Sequence, residues 1–204
     1  MKTTVNKIKA LQPCKSGLVN LIKQLGTDFD HDSEFEVSSL VGGENHISDI
    51  TWLLGKTGEK RKLVEFSVYC AELVLPIYEK DNDSKAPRNA IDLTKKWLID
   101  DKSVTRQQLR DAADYAAAAA YAATATAAAA ADYAADAAYA AADDADDAAD
   151  DAADAAAAYA AAATSTDYAA DYAAAAYAAD YVAAGFKSEI ENKLKELINN
   201  ENNS

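Results

Sequence analysis

Seven aspartates fall within the fourteen residues AADDADDAADDAAD, positions 141–154, on an alanine background with no lysine or arginine among them. Carboxylates at that density can hold a cation, pair with the lysines and arginines of another molecule, or keep a surface wet. Calcium needs about six to eight oxygens wrapped around it, which a helix face does not supply. No Asp-x-Asp-x-Asp-Gly loop is present either. The two histidines do not rescue a metal reading: His31 lies in DFDHD, which reads as an acidic turn, and His46 sits apart from it. Neither Cys14 nor Cys70 belongs to a Cys-x-x-Cys pair, so zinc is unsupported. Both fall within apolar patterns and are expected in the core rather than as nucleophiles. The chain has no phosphate loop, no Gly-x-Ser-x-Gly and no Gly-x-Gly-x-x-Gly. Acidic pairs are so common here that pairing alone says nothing about acid–base chemistry. The expectation is a protein that is not an enzyme and uses no cofactor and no metal.

The aspartates are ordered rather than scattered. DYAAAAAYAATATAAAAA (114–131) and DYAADAAYAAADDADDAA (132–149) each begin Asp-Tyr and place a tyrosine seven positions after the aspartate. Such an interval of about eighteen residues is about five helical turns. On a helix, Asp132 and Asp150 then share the direction of Asp114. Asp143 lies within about 20° of it, Asp136 and Asp154 within about 40°, and Asp111 and Asp147 within about 60°. Tyr115 and Tyr133 flank this stripe on one side, and Tyr121 and Tyr139 on the other. The face opposite is alanine.

Three zones must carry these residues. Residues 1–102 have ordinary composition and read as helices around an ordinary core. ALQPCKSGLVNLIKQLG is a short helix closed by Gly26, and TDFDHDSEFEVSSLVGGENHISD reads as loop and broken helix. In EKRKLVEFSVYCAELVLPIYEK, Leu63, Phe66, Cys70, Leu73 and Ile77 recur at helical spacing. Pro76 falls near the end of that helix, where a kink is tolerated. DNDSKAPRN reads as a turn cluster, and AIDLTKKWLI as a short helix presenting Ile91, Leu93 and Trp97.

Residues 103–184 form the second zone, with Ser103 or Thr105 as the helix N-cap. From 111 to 184 the chain has 14 Asp, 9 Tyr, 4 Thr, one Ser, one Val and 45 Ala, with no glycine or proline. Alanine is the best helix former, so this zone is expected to be helical almost throughout. A single helix of that length would reach ~110 Å. Several helices side by side are expected instead, broken at TSTD (164–167) and near 143, with tyrosine rings supplying most of the buried area. Gly185 is expected to end the zone, and residues 185–204 to add a last amphipathic helix. The three zones together are expected to make one continuous all-α domain.

The whole chain carries a formal net charge of -14, from 34 acidic and 20 basic residues. The 14 aspartates of residues 111–184 account for all of it. This argues against direct contact with nucleic acid, which needs a basic patch, and against attraction to an anionic membrane. No apolar run is long enough for a membrane span, and the N-terminus lacks the pattern of a signal peptide. With two distant cysteines, a reducing bacterial cytoplasm is the expected compartment.

The segments HISDITWLLGKTG (46–58), EFSVYCAELVLPIYEK (65–80) and APRNAIDLTKKWL (86–98), followed by a long Ala/Tyr/Asp tail, resemble the Imm5-like immunity proteins of bacterial toxin–immunity loci and phages. LQPCKSGL (11–18) resembles a Cys-x-x-Gly segment that leads the phage members. The resemblance spans roughly residues 8–184. It implies an all-α fold and a role in neutralising a toxin or countering host defence, and it carries no catalytic residues. Many relatives mix arginine into the tail, where this chain has only aspartate.

Together these readings predict an acidic inhibitor. Its partner is a basic protein, a toxin or host-defence nuclease, gripped by Asp132, Asp136, Asp143, Asp147, Asp150, Asp154, Tyr133 and Tyr139 in the manner of a nucleic-acid mimic. A competing reading makes the tail a self-associating scaffold, a homo-oligomer whose aspartates serve only solubility. The choice between them turns on the like charges. A face built for solubility gains from i,i+4 pairs of opposite sign, whereas Asp143–Asp147 and Asp150–Asp154 repel.

Overall fold

The computed structural model describes residues 1–122 and 173–200, and their architecture is all-α with one minimal sheet. Its helices are α1 (Val5–Ala10), α2 (Lys15–Leu25), α3 (Ile47–Lys56), α4 (Lys60–Asp81), α5 (Ala86–Ile99), α6 (Arg106–Ala122) and α7 (Ala173–Asn199). The strands β1 (Lys2–Thr3) and β2 (Phe35–Glu36) pair antiparallel, Lys2 opposite Glu36, and lead into a 3-10 turn at Val37–Leu40. Proposed helix breaks at 143 and at 164–167 lie outside the described residues.

The centre of the fold is α4. Leu63, Phe66 and Cys70 are buried as their spacing predicts, and Leu73 and Ile77 pack at the margin of the same cluster. A second row on the same helix, Val68, Ala71 and Leu75, is equally buried against α5 and α6. A helix covered on two sides is apolar over most of its circumference. Pro76 is exposed and the helix continues to Asp81, so the proline does not end it.

Local chemistry fixes where the helices begin and stop. Gly26 closes α2 at φ +97°, a backbone conformation that only glycine adopts without strain. At the head of α6 the choice between Ser103 and Thr105 falls on Thr105. Gln108 N–H donates to Thr105 Oγ1 at 3.2 Å, and Thr105 N–H donates back to Gln108 Oε1 at 2.9 Å. This reciprocal pair is a capping box. Two expectations need correction. Helix α5 starts at Ala86, four residues earlier than the predicted AIDLTKKWLI, because Pro87 sits in its first turn, where a missing N–H costs no hydrogen bond. Helix α7 runs through Gly185 instead of ending there; one glycine costs a helix only about 1 kcal/mol.

The last part of α7 closes the core. Ile190, Leu194 and Ile198 are fully buried, and α7 packs on α4 and on the 3-10 turn. Lys193 ties the two helices at the surface, 3.1 Å from Glu65 and with its ammonium 5.9 Å from the Tyr69 ring centroid. On the other side of α4, Trp97 of α5 lies beneath Lys60 and Arg61, at 6.0 and 5.2 Å.

Arg88 of α5 clamps Glu79 of α4 side-on, Nε donating to Oε1 at 2.7 Å and Nη2 to Oε2. These hydrogen bonds, joined by the charge of Lys85, hold the Glu79 carboxyl below the usual glutamate range. A carboxylate depressed in the folded state stabilises it fully above the unfolded value of about 4.3 and ceases to do so as pH falls through its own lower value. Urea unfolding followed between neutral and acid pH should therefore show a shallower loss of stability on the acid side for Glu79→Gln than for wild type.

Candidate acidic interaction face

The predicted contact residues Asp132, Asp136, Asp143, Asp147, Asp150, Asp154, Tyr133 and Tyr139 lie outside the described residues. The head of their segment is described, in α6. There the alternation can be read directly. Ala112, Ala113 and Ala116 are buried at 6%, 0% and 0% exposure against Val68, Ala71, Leu75, Ala90 and Ile91. Asp111, Asp114 and Tyr115 are exposed. Measured around the helix from Asp114, the buried alanines lie at roughly 160–260°, and Asp111 and Tyr115 at roughly 60° and 100°. Alanine therefore faces the neighbouring helices, and the acid faces away from them.

The small side chain explains the packing. On the α6 side of this cluster the contact is made by alanine alone, while α4 and α5 contribute Val68, Leu75 and Ile91 besides Ala71 and Ala90. Such a contact gains little per residue but also leaves little void. The expectation that tyrosines supply the buried area fails at Tyr115, which is 70% exposed. On the acidic side of the helix most of the ring lies in water, which also serves its hydroxyl.

A groove of about 700 Å³ runs beside this face. Its floor includes Tyr78, and Asp83, Lys85, Asp111 and Tyr115 lie along it. Lys85 is paired with Glu79 at 3.5 Å, and Gln107 donates to Asp111 Oδ1 at 2.7 Å. Beyond Arg110 no basic residue occurs until Lys187, so the carboxylates that follow have no cation on their own segment. A face of this kind can receive ammonium and guanidinium groups and offer a tyrosine ring for stacking.

A second polar cluster escaped the sequence reading. Cys14 is not a core residue: it is exposed and caps α2, accepting the Gly17 N–H on Sγ at 3.3 Å. Asp49 of α3 reaches over the same turn. Its Oδ1 is 3.9 Å from Cys14 Sγ, and its Oδ2 accepts the His46 N–H at 3.1 Å. A Cβ on Gly17 would lie 2.7 Å from Asp49 Oδ1 and 3.2 Å from Cys14 Sγ, so this close approach requires glycine. Asn45 completes the cluster, donating Nδ2 to Gly17 O at 3.0 Å and lying 3.5 Å from Asp49 Oδ2. Turning the amide over would set oxygen against two oxygens, which fixes its orientation. Asn45 Oδ1 is thereby left buried without a hydrogen-bond partner, a state that costs about 1–3 kcal/mol. The available signal was Cys-x-x-Gly at 14–17 followed by His-x-x-Asp at 46–49. Both are helix starts, and nothing in their spacing says that they meet.

Among the described residues no group of three or more histidine, cysteine or carboxylate side chains is placed to hold a metal ion. No helix among them is long and apolar enough to cross a membrane. In comparison with known proteins, the chain matches no family model, no curated protein and no solved structure. The Imm5-like resemblance rests on the segments quoted for it.

Proposed function

We propose that this chain is a non-enzymatic immunity or anti-defence protein, phage or prophage in origin, that acts in the bacterial cytoplasm by sequestering a basic protein. The partner class is a toxin or host-defence nuclease whose lysines and arginines otherwise hold phosphates. The observation that carries the reading is the arrangement at the start of α6, with Ala112, Ala113 and Ala116 inward and Asp111, Asp114 and Tyr115 outward. By the helical period of the sequence, the same alternation is proposed to continue along a segment whose 14 aspartates have no basic residue among them, giving an anionic strip backed by alanine. Asp132, Asp136, Asp143, Asp147, Asp150 and Asp154 are assigned to charge pairing, and Tyr133 and Tyr139 to stacking on guanidinium groups. Repulsion along the strip is relieved when a cationic partner arrives, so free energy stored in the unbound chain favours the complex. Complementary charge also speeds association.

Capture from a bacterial lysate tests this reading, with wild type compared against the chain carrying Asn at 143, 147, 150 and 154. At low salt the wild type should retain a basic nuclease that the variant does not. The retained protein should be released as salt rises, because exposed pairs are screened. Equal retention by both chains would assign the contact to the helices of residues 1–102. Self-association of the wild type in sedimentation, with no partner retained, would favour the scaffold.

A further inference from the structure

The function proposed above makes no use of the acidic turn DFDHD, residues 28–32, which lies between α2 and β2. Three bonds tie that turn to α1. Asn6 N–H donates to the His31 carbonyl at 3.2 Å, Asn6 Nδ2 donates to Asp32 Oδ1 at 2.7 Å, and Lys9 Nζ lies 3.0 Å from His31 Nδ1. The third bond carries a restriction. An ammonium has three donors and no acceptor, so Nδ1 must accept, and the ring is neutral with its proton on Nε2. A protonated ring would set an N–H against the ammonium, two like charges 3.0 Å apart. The contact therefore exists in one protonation state only. Histidine is the side chain whose charge changes between about pH 5 and 8.

A protonated ring has other partners at hand. The charged groups around His31 are Lys9, across on α1, and Asp30 and Asp32, on either side of it in its own turn. Asp30 is held below the usual aspartate range by the Asp32 N–H and then by the Ser33 hydroxyl, with a smaller contribution from the charge of His31. Those same two bonds, at 3.1 and 3.0 Å, brace the turn from within, so its shape does not depend on Lys9.

We propose that His31 is a pH-dependent latch between this turn and α1. Neutral, it accepts from the Lys9 ammonium and holds the turn down. Protonated, it releases Lys9 and turns to Asp30 and Asp32, so that the two Asn6 bonds are left to tie the turn to α1. The turn then opens more often, which uncovers the Asn6 N–H and loosens Phe29, whose ring stands edge-on to Phe35 of β2 at 6.0 Å. The latch uses neither the acidic strip nor its partner, so it stands if the inhibitor reading falls.

Amide hydrogen exchange of the full chain, read by NMR as protection factors so that the intrinsic pH dependence of exchange is removed, tests the latch. Between about pH 7.5 and about pH 5.5 the Asn6 N–H should lose protection by about two- to fivefold, the effect of losing one hydrogen bond near the surface. Lys9→Met keeps the stem and removes the donor. Its Asn6 protection should already be low at the higher pH and should not change at the lower. His31→Gln keeps an acceptor that does not titrate, so protection should stay at the wild-type high-pH level throughout. His46→Gln removes the other histidine and should leave the wild-type pH dependence intact. Wild-type protection that does not change with pH would overturn the proposal. So would a Lys9→Met chain that keeps the wild-type pH dependence, because the effect would then come from another group.

Discussion

Leu194→Ala should cost the fold about 2–5 kcal/mol, read as a fall in the urea midpoint without a change in slope. Leu194 is fully buried, and its neighbours in the same cluster are Ile190, Leu197 and Ile198 of α7 together with residues of α1, α3 and α4. Two costs add: the lost burial of the side chain, and the cavity left where two helices distant in sequence cannot collapse together. Asn192→Ala on the exposed side of the same turn should change stability by no more than about 0.5 kcal/mol. A Leu194→Ala effect as small as that of Asn192→Ala would mean that residues 186–199 do not close the core of residues 1–99.

The second large effect tests which way the alanine-rich segment faces. Ala116→Asp places a carboxylate at a fully buried position among Val68, Ala71, Leu75 and Ile91. The cluster around it is apolar and excludes water, so the buried charge should cost more than about 3 kcal/mol. Asp114→Ala, two positions earlier on the exposed face, should change stability by less than about 1 kcal/mol, with better helix propensity offsetting any lost surface contact. The two substitutions exchange the same pair of residue types in opposite directions. Similar costs for both would remove the distinction between an alanine side and an acidic side on which the proposed function rests.

Much of the fold was legible because its signals are local. Gly26 and Thr105 stop and start helices through hydrogen bonds made within a few residues, and Leu63, Phe66 and Cys70 mark one side of α4 by spacing alone. The unread parts depend on neighbours that sequence does not bring together. The pairing of Lys2–Thr3 with Phe35–Glu36 is too short to show alternation. The second buried row of α4 follows from α5 and α6 covering it. Helix α5 extends back over APRN because proline, a turn signal in a loop, is equally a first-turn residue.

The candidate sites divide in the same way. Of the acidic stripe only the head is described, and there Asp111 and Asp114 are exposed, on the side where the 3.6-residue period places them. The tyrosines of the alanine segment are expected to supply most of its buried area, yet Tyr115, which the helical period sets at the flank of the acidic stripe, is 70% exposed. Cys14 was assigned to the core from the apolar residues around it. Its surface position follows from capping α2, a role in which sulfur replaces the more usual serine or aspartate oxygen. The convergence of Cys14, Asn45 and Asp49 depends on how α2 and α3 dock.

The central claim of the proposed function is that the aspartates of residues 132–154 make the contact with a basic protein. Its most direct test is the affinity for the retained partner, measured by calorimetry across a range of salt concentrations for wild type and for the chain with Asn at 143, 147, 150 and 154. The account predicts that wild-type affinity falls steeply as salt rises, while the variant binds weakly with a much shallower salt dependence. Equal affinities and equal salt slopes for the two chains would contradict it.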